Sequence, residues 1–326
     1  MTPIAATGHL VGGIVLAAVQ VVVVVALTPL LIGVMRAVRS RAEGRAGGRV
    51  LQPWRDLLKL LGKEPLQAAG TGLTSWIAPL GLMVSSLLLT VLLPLVGTRD
   101  AAGLPDDLFV VVSILLLGSV ALALVGLDAG TAFGGMGSSR HMTIAALLEP
   151  TVLLAVYALS VPAGTSVLSA IVRLRIDDPA TVVSPVSLLA LAALTIVIIA
   201  ETGRLPVDNP ATHLELTMVH EAMVLESSGR DLGWLELGSW LRLSVLLGLL
   251  ANLTAPWGIA TSSSAVALAV GVAALCLKML LLGVAIAVAE VFLAKVRLFR
   301  VPELLAGSFV LAFLAVTASY LVVVAG

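Results

Sequence analysis

Long uncharged apolar runs, separated by shorter polar segments, recur along the whole chain. Eight of them approach or exceed the roughly 20 apolar residues that carry an α-helix across a bilayer core. They lie near residues 9–35, 77–97, 107–127, 141–162, 182–201, 234–254, 264–290 and 303–325. The runs are continuous rather than alternating, which excludes a membrane barrel built of strands. The first is too long for a signal-peptide core and no basic residue precedes it, so it reads as an uncleaved span. The pattern predicts an all-α integral membrane protein with eight transmembrane helices, forming one polytopic domain over residues 1–326. No internal repeat is visible.

Two polar stretches are long, residues 36–76 and 202–233; those near 98–106 and 163–181 read as ordinary connections. In the first, Trp54, Leu57, Leu58 and Leu61 recur at helical spacing, with Arg55, Asp56 and Lys59 on the other side. That is the pattern of an amphipathic helix lying on the membrane surface.

Lys and Arg set the orientation. The segments after the odd-numbered spans hold fourteen, from Arg36, Arg39 and Arg41 through Arg140, Arg204 and Arg230 to Lys295, Arg297 and Arg300. The opposite segments hold three, Arg99, Arg173 and Arg175, and Arg242 and Lys278 lie within spans. The rich side is therefore expected in the cytoplasm, with both termini outside.

Composition narrows the class further. Apolar residues make up 59% and charged residues 12%, and mean hydropathy is +1.12. Soluble domains carry about 25% charge, so a soluble α/β enzyme, a disordered chain and a nucleic-acid binder are excluded. Net charge is zero, so only the distribution of charge carries information. The one cysteine, Cys276, has no partner for an internal disulfide, and one thiol cannot hold an iron–sulfur cluster.

The residues that could carry chemistry are ionisable groups at membrane depth: Glu149, Glu201, Glu236, Arg242, Lys278 and Glu290. A charge at mid-span costs about 2.5–3.5 kcal/mol on insertion scales, so several together point to a bundle interior or a wet cavity. A line of them can relay protons. The run Glu201-Thr202-Gly203-Arg204-Leu205-Pro206-Val207-Asp208-Asn209-Pro210 leads to a further helix, with Asn209 as N-cap and Pro210 at its first position. On that helix His213, Thr217, His220 and Val224 would share a face, while Glu215 and Glu226 lie elsewhere. His220-Glu221 begins like a zinc-protease motif, but position 224 is Val where the second His should stand, so no metal site is expected.

These segments resemble one family along nearly the whole chain. It is the membrane subunit found beside the quinone cavity in respiratory complex I (its subunit 1) and, as formate hydrogenlyase subunit 4, in energy-converting nickel–iron hydrogenases. The resemblance is carried by Leu51-Gln52-Pro53 with Asp56 and Lys59-Leu60, and by Gly126-Leu127-Asp128-Ala129-Gly130-Thr131-Ala132-Phe133. Gly137-Ser138-Ser139-Arg140, with Glu149 nine residues beyond the Arg, and Glu201 to Asp208 continue it. Lys278 with Glu290 and Pro256-Trp257-Gly258 are similar to the hydrogenase branch. There are departures. Where the family carries three alternating acids this chain reads Ala211, His213 and Glu215, and Glu-Tyr-Ser-Gly becomes Glu226-Ser227-Ser228-Gly229.

The resemblance implies a non-catalytic membrane-anchoring and coupling subunit of an oxidoreductase complex in the cell inner membrane. Its proton-path candidates are Glu149, Glu201, Asp208, Glu215, Glu221, Glu226, Lys278, Glu290 and Asp128. Its docking or cavity candidates are Arg45, Arg49, Gln52, Arg55, Asp56, Lys59, Arg140, Arg204 and His213. It implies no cofactor in this chain. Partners would be an iron–sulfur small subunit and a hydrogenase-like large subunit on the cytoplasmic side, with or without nickel–iron, and antiporter-like membrane subunits. Quinone at the interface, in a complex I-type NADH dehydrogenase, is the alternative; the lost acids argue against it. A stand-alone secondary transporter is the other alternative, disfavoured by the absence of a repeat.

Overall fold

The computed structural model describes residues 3–67, 70–98, 106–208, 218–262, 264–297 and 300–325, with side chains from residue 12 to 322. The described residues are helical and contain no strand, only isolated bridges pairing Gly97 with Ala260 and Asp107 with Val167. The helices are α1 (Pro3–Ala42), α2 (Gln52–Leu61), α3 (Thr74–Leu92), α4 (Leu108–Asp128), α5 (Ala132–Ser160), α6 (Leu168–Asp177), α7 (Pro185–Glu201), α8 (His220–Val224), α9 (Gly229–Thr254), α10 (Ala265–Phe292) and α11 (Val301–Ala325). Seven of them, α1, α3, α4, α5, α9, α10 and α11, are long and apolar enough to cross a membrane. The stretch near 182–201 is apolar too, but its helix α7 has only 17 residues.

Helix starts follow turn chemistry. Asp107, Thr131, Ser184 and Ser264 each accept a bond from a backbone N–H in the first turn of α4, α5, α7 and α10. Such caps contribute about 1 kcal/mol each. Two boundaries differ from expectation. Helix α5 begins at Ala132 rather than near residue 141, so Arg140 is helical rather than in a connecting loop. The connection near 163–181 is not plain loop but carries the ten-residue helix α6. Asn209 and Pro210 lie outside the described residues, and the described residues that follow carry the short helix α8.

Helix α9 is the hub. Every residue from Trp240 to Leu253 is buried, since the stretch is apolar on all sides except at Arg242, Ser244 and Asn252, which bond inside the bundle. It touches α1, α2, α3, α7 and α10. Helix α2 buries Pro53 and Leu57 on α9 and α1, while Leu58 is left 62% exposed. The expected surface helix is thus present, but only part of its apolar face is covered.

Away from the basic end, α3 stops at Leu92 and leaves backbone groups without helical partners. Two buried amides take them. Gln20 donates to the carbonyls of Thr90 and Leu93 and accepts from the N–H of Val96; Asn252 donates to the carbonyls of Pro94 and Leu95. Inside a bilayer nothing else could satisfy them. Nearby, Arg175 on α6 donates to the Leu253 carbonyl at the end of α9. Burial draws its guanidinium down to about 10, so it stays charged at neutral pH.

Helices α4 and α5 meet backbone to backbone. A Cβ on Gly134 would stand 2.1 Å from the Gly126 carbonyl oxygen, and one on Gly137 would stand 2.9 Å from the Ala222 methyl. Gly134→Ala is therefore expected to force the pair apart and to cost about 1–3 kcal/mol, as overpacking does. Gly135→Ala, with nothing within 4 Å, is the matched control. A thermal melt of the solubilised protein should fall for the first and stay unchanged for the second.

Candidate functional site

At the end of the bundle where α1 finishes and α9 begins lies a cavity of about 270 Å³. Its walls come from α1, α3, α4, α5, α7, α8, α9 and α10 and from the turn after α7. The last turns of α1 bring Arg36 and Arg39, and the first half of α9 brings Glu236, Trp240 and Arg242. The guanidinium of Arg36 lies 5.5 Å over the Trp240 ring, a cation–π contact that holds the ring as a wall.

The turn after α7 is shaped by Gly203, whose φ of +59° only glycine adopts cheaply. It delivers Arg204 and Asp208 to the rim. Arg204 donates to Glu290 at 3.0 Å, and Arg39 reaches the other oxygen of Glu290 at 3.5 Å. Asp208 pairs with Lys295 at 3.0 Å and accepts the backbone N–H of His220 at 3.2 Å. Four segments, the ends of α1 and α10, the turn after α7 and the start of α8, are thus stapled by charge. Outside the rim Arg45 first, then Arg39, hold the partly exposed Glu43 carboxyl below the usual carboxylate range.

The floor is a second cluster. Arg242 pairs with Glu201 and donates to the Leu115 carbonyl at 2.8 Å and to the Ser119 hydroxyl at 2.7 Å. Ser119 in turn reaches Glu201 at 3.5 Å. Behind it stands Glu149, buried just past the middle of α5, facing Ser119, Glu201 and Arg242. One oxygen of Glu149 and one of Glu201 are buried with no hydrogen-bond partner among the described residues. So is Nε2 of His141, which lines the cavity above Arg242, while the ring contacts the Ser119 backbone. Two carboxylates share one guanidinium here. Fully ionised, the cluster carries one uncompensated negative charge in a poorly solvated place; one added proton removes it.

A family model described as NADH dehydrogenase matches residues 14–323. The chain belongs to that family. Hydrogenase-4 component C of Escherichia coli (strain K12) is 32% identical over 305 residues, covering 93% of this chain and 94% of that protein. Formate hydrogenlyase subunit 4 of the same organism is 29% identical over 297 residues, covering 91% and 95%. The fold is similar to a chain of the membrane-bound sulfane sulfur reductase, an archaeal respiratory membrane complex, with a TM-score of 0.80 and 18% identity over 94% of this chain and 99% of that one. The resemblance read from the sequence is therefore to the right family, and the chain is a multi-pass membrane protein.

In this NADH dehydrogenase family member the expected site residues divide. Glu201, Asp208, Glu221, Glu290 and Arg204 line the cavity, and Glu149 lies behind its floor. Arg140 ties α5 to the segment before α8 through the Met218 carbonyl at 2.9 Å. Arg45, Arg49, Gln52, Arg55 and Lys59 are exposed on the same end, with Gln52 donating to Asp56 at 2.7 Å. Asp128 accepts from the Gly72 N–H, and Glu226 borders a smaller pocket beside Asp231, so neither joins the cavity. Lys278 lies elsewhere, donating to Asn252 at 3.1 Å. His213 and Glu215 lie outside the described residues. Among the described residues no three His, Cys, Asp or Glu converge as metal ligands, and Cys276 is a free, half-buried thiol.

Sequence reasoning missed Ser119, His141 and Arg39 as site residues. Ser119 follows Gly118 inside an otherwise apolar run, which was its only signal. His141 sits one position after Arg140, and Arg39 was indistinguishable from the other basic residues of its segment.

Proposed function

We propose that this chain is the membrane-anchoring and coupling subunit of a multisubunit hydrogenase-like or complex I-like oxidoreductase in the cell inner membrane. In this reading it crosses eight times, with α7 as the short eighth span and both termini outside. The exposed basic end, with Arg45, Arg49, Arg55 and Lys59, would receive the iron–sulfur and catalytic subunits. Antiporter-like subunits would adjoin it within the membrane.

The observation that carries the reading is the path from cavity to floor: His141 and Arg242 at its base, then Glu201, Ser119 and Glu149 in contact. A proton entering from the cavity can be held on Glu201 and passed to Glu149, because each has an oxygen free to take it. Motion of the turn carrying Arg204 would change what Glu201, at the end of α7, can face. That turn becomes a coupling element if the docked arm and the proton site bias the same two positions of it.

The first test is to tag the chain, purify it in mild detergent and measure iron and nickel together. Both metals would support a hydrogenase-like assembly. Iron without nickel would move the reading toward a related complex or complex I, and quinone-dependent turnover would then decide. Neither metal, in a chain that purifies alone and intact, would overturn it in favour of a stand-alone transporter. A second expected result concerns docking. Reversing charge at Arg49 and Arg55 should at least halve the arm retained through a salt wash, because exposed charge pairs are screened readily. Full retention would leave these residues as membrane anchors only.

A further inference from the structure

Of the six charges that the sequence places within spans, five face an opposite charge. Glu149, Glu201 and Arg242 share one cluster, Glu290 has Arg39 and Arg204, and Glu236 faces Arg36 and His220. Lys278 is the exception. Among the described residues its hydrogen bond is to the neutral Asn252, and no carboxylate stands near it. Nor can it escape to water. It is the fourteenth of the 28 residues of α10, about 20 Å along the axis from either helix end. The interfaces of a bilayer core are about 15 Å from its centre, beyond the reach of a lysyl stem.

Beside Lys278 runs an exposed apolar stripe: Val266, Val270, Leu277, Leu281, Val288 and Phe292, at steps of four and seven. These steps keep one helix face. That face is the flank of α10 turned away from α1 and α9, and it is long enough for another helix to lie along it.

We infer that this flank of α10 is the seat of a transmembrane helix from a neighbouring subunit, and that the helix carries an Asp or Glu at mid-bilayer depth which pairs with Lys278. A second copy of this chain does not fit. Its own mid-depth acid, Glu149, is buried inside the bundle, and Glu201 and Glu290 are buried near helix ends rather than at mid-depth. Lipid does not fit either, since its anionic groups lie at the interface rather than at the centre. The inference rests on the multisubunit reading only in requiring that a neighbour exist.

The test places a photo-crosslinking phenylalanine analogue, p-benzoylphenylalanine, at Leu281 in the tagged complex within its native membrane. Linked peptides are sequenced. The expected product is a membrane segment of a different subunit with an Asp or Glu within one turn of the linked residue. Its yield should fall at least fivefold in Lys278→Met and persist in Lys278→Arg, which also controls for folding. A link to lipid, to another copy of this chain, or to a segment without an acid overturns the inference. Iron carried by the same preparation separates the two readings. If the cluster-bearing arm co-purifies and Leu281 links only lipid, this inference alone fails. If no arm co-purifies, the assembly reading fails with it.

Discussion

Glu149→Gln is expected to leave the complex assembled and to lower its proton-to-electron ratio to about a tenth or less. Positioned proton-transfer groups contribute about 10²–10⁴-fold, so the loss of one in series should dominate. The amide keeps the volume of the carboxyl, and the neighbours Ser119, Glu201 and Arg242 remain in place. Only the titratable oxygen, which has no donor of its own, is lost. The check is acceptor- or hydrogen-driven acidification in proteoliposomes, with subunit composition read from the same preparation. An unchanged ratio in an intact complex would remove Glu149 from the path.

Arg242→Met should be more damaging to the protein itself. It leaves Glu201 without its one cation, in a place where neither residue is more than 7% exposed at the side chain. Removing one partner of a buried pair costs about 3–5 kcal/mol. The Leu115 carbonyl and the Ser119 hydroxyl also lose a donor. Melting should fall by about 10 °C, taking as the guide a shift of about 2–4 °C per kcal/mol in globular domains of about 150–250 residues. The double variant Arg242→Met with Glu201→Gln removes the charge that was left behind. It should recover most of the stability while proton transfer stays low. If the double variant melts no higher than the single one, the cost lies in lost packing, and the charge account of this cluster is wrong.

The spans were legible because a bilayer demands a long apolar run, and seven described helices supply one, with α7 as a shorter apolar helix. Their ends were less so. Helix α5 extends back to Ala132 through Gly134, Gly137 and Ser138, residues with little helical or apolar signal. What holds that turn is contact with α4 and α8, which composition does not display. Helix α6 was missed for a related reason, being short and flanked by charge. Within the site, single residues were readable and their meetings were not. Glu290 and Arg39 are 251 positions apart, and no local pattern joins them. Lys278 and Glu290 were read together, yet twelve residues is about 18 Å along a helix. They accordingly occupy different surroundings, one with Asn252 and one at the cavity rim.

The glycine contact between α4 and α5 bears on what can move during a turnover. Ser119 is carried by α4 and Glu149 by α5, and at Gly126 and Gly134 those two helices touch with no side chain between them to slide or repack. At that point their spacing is set by backbone contact alone. Under the proposed coupling role, a stroke that makes and breaks the proton path would be taken by the other two members, Glu201 on α7 and Arg242 on α9.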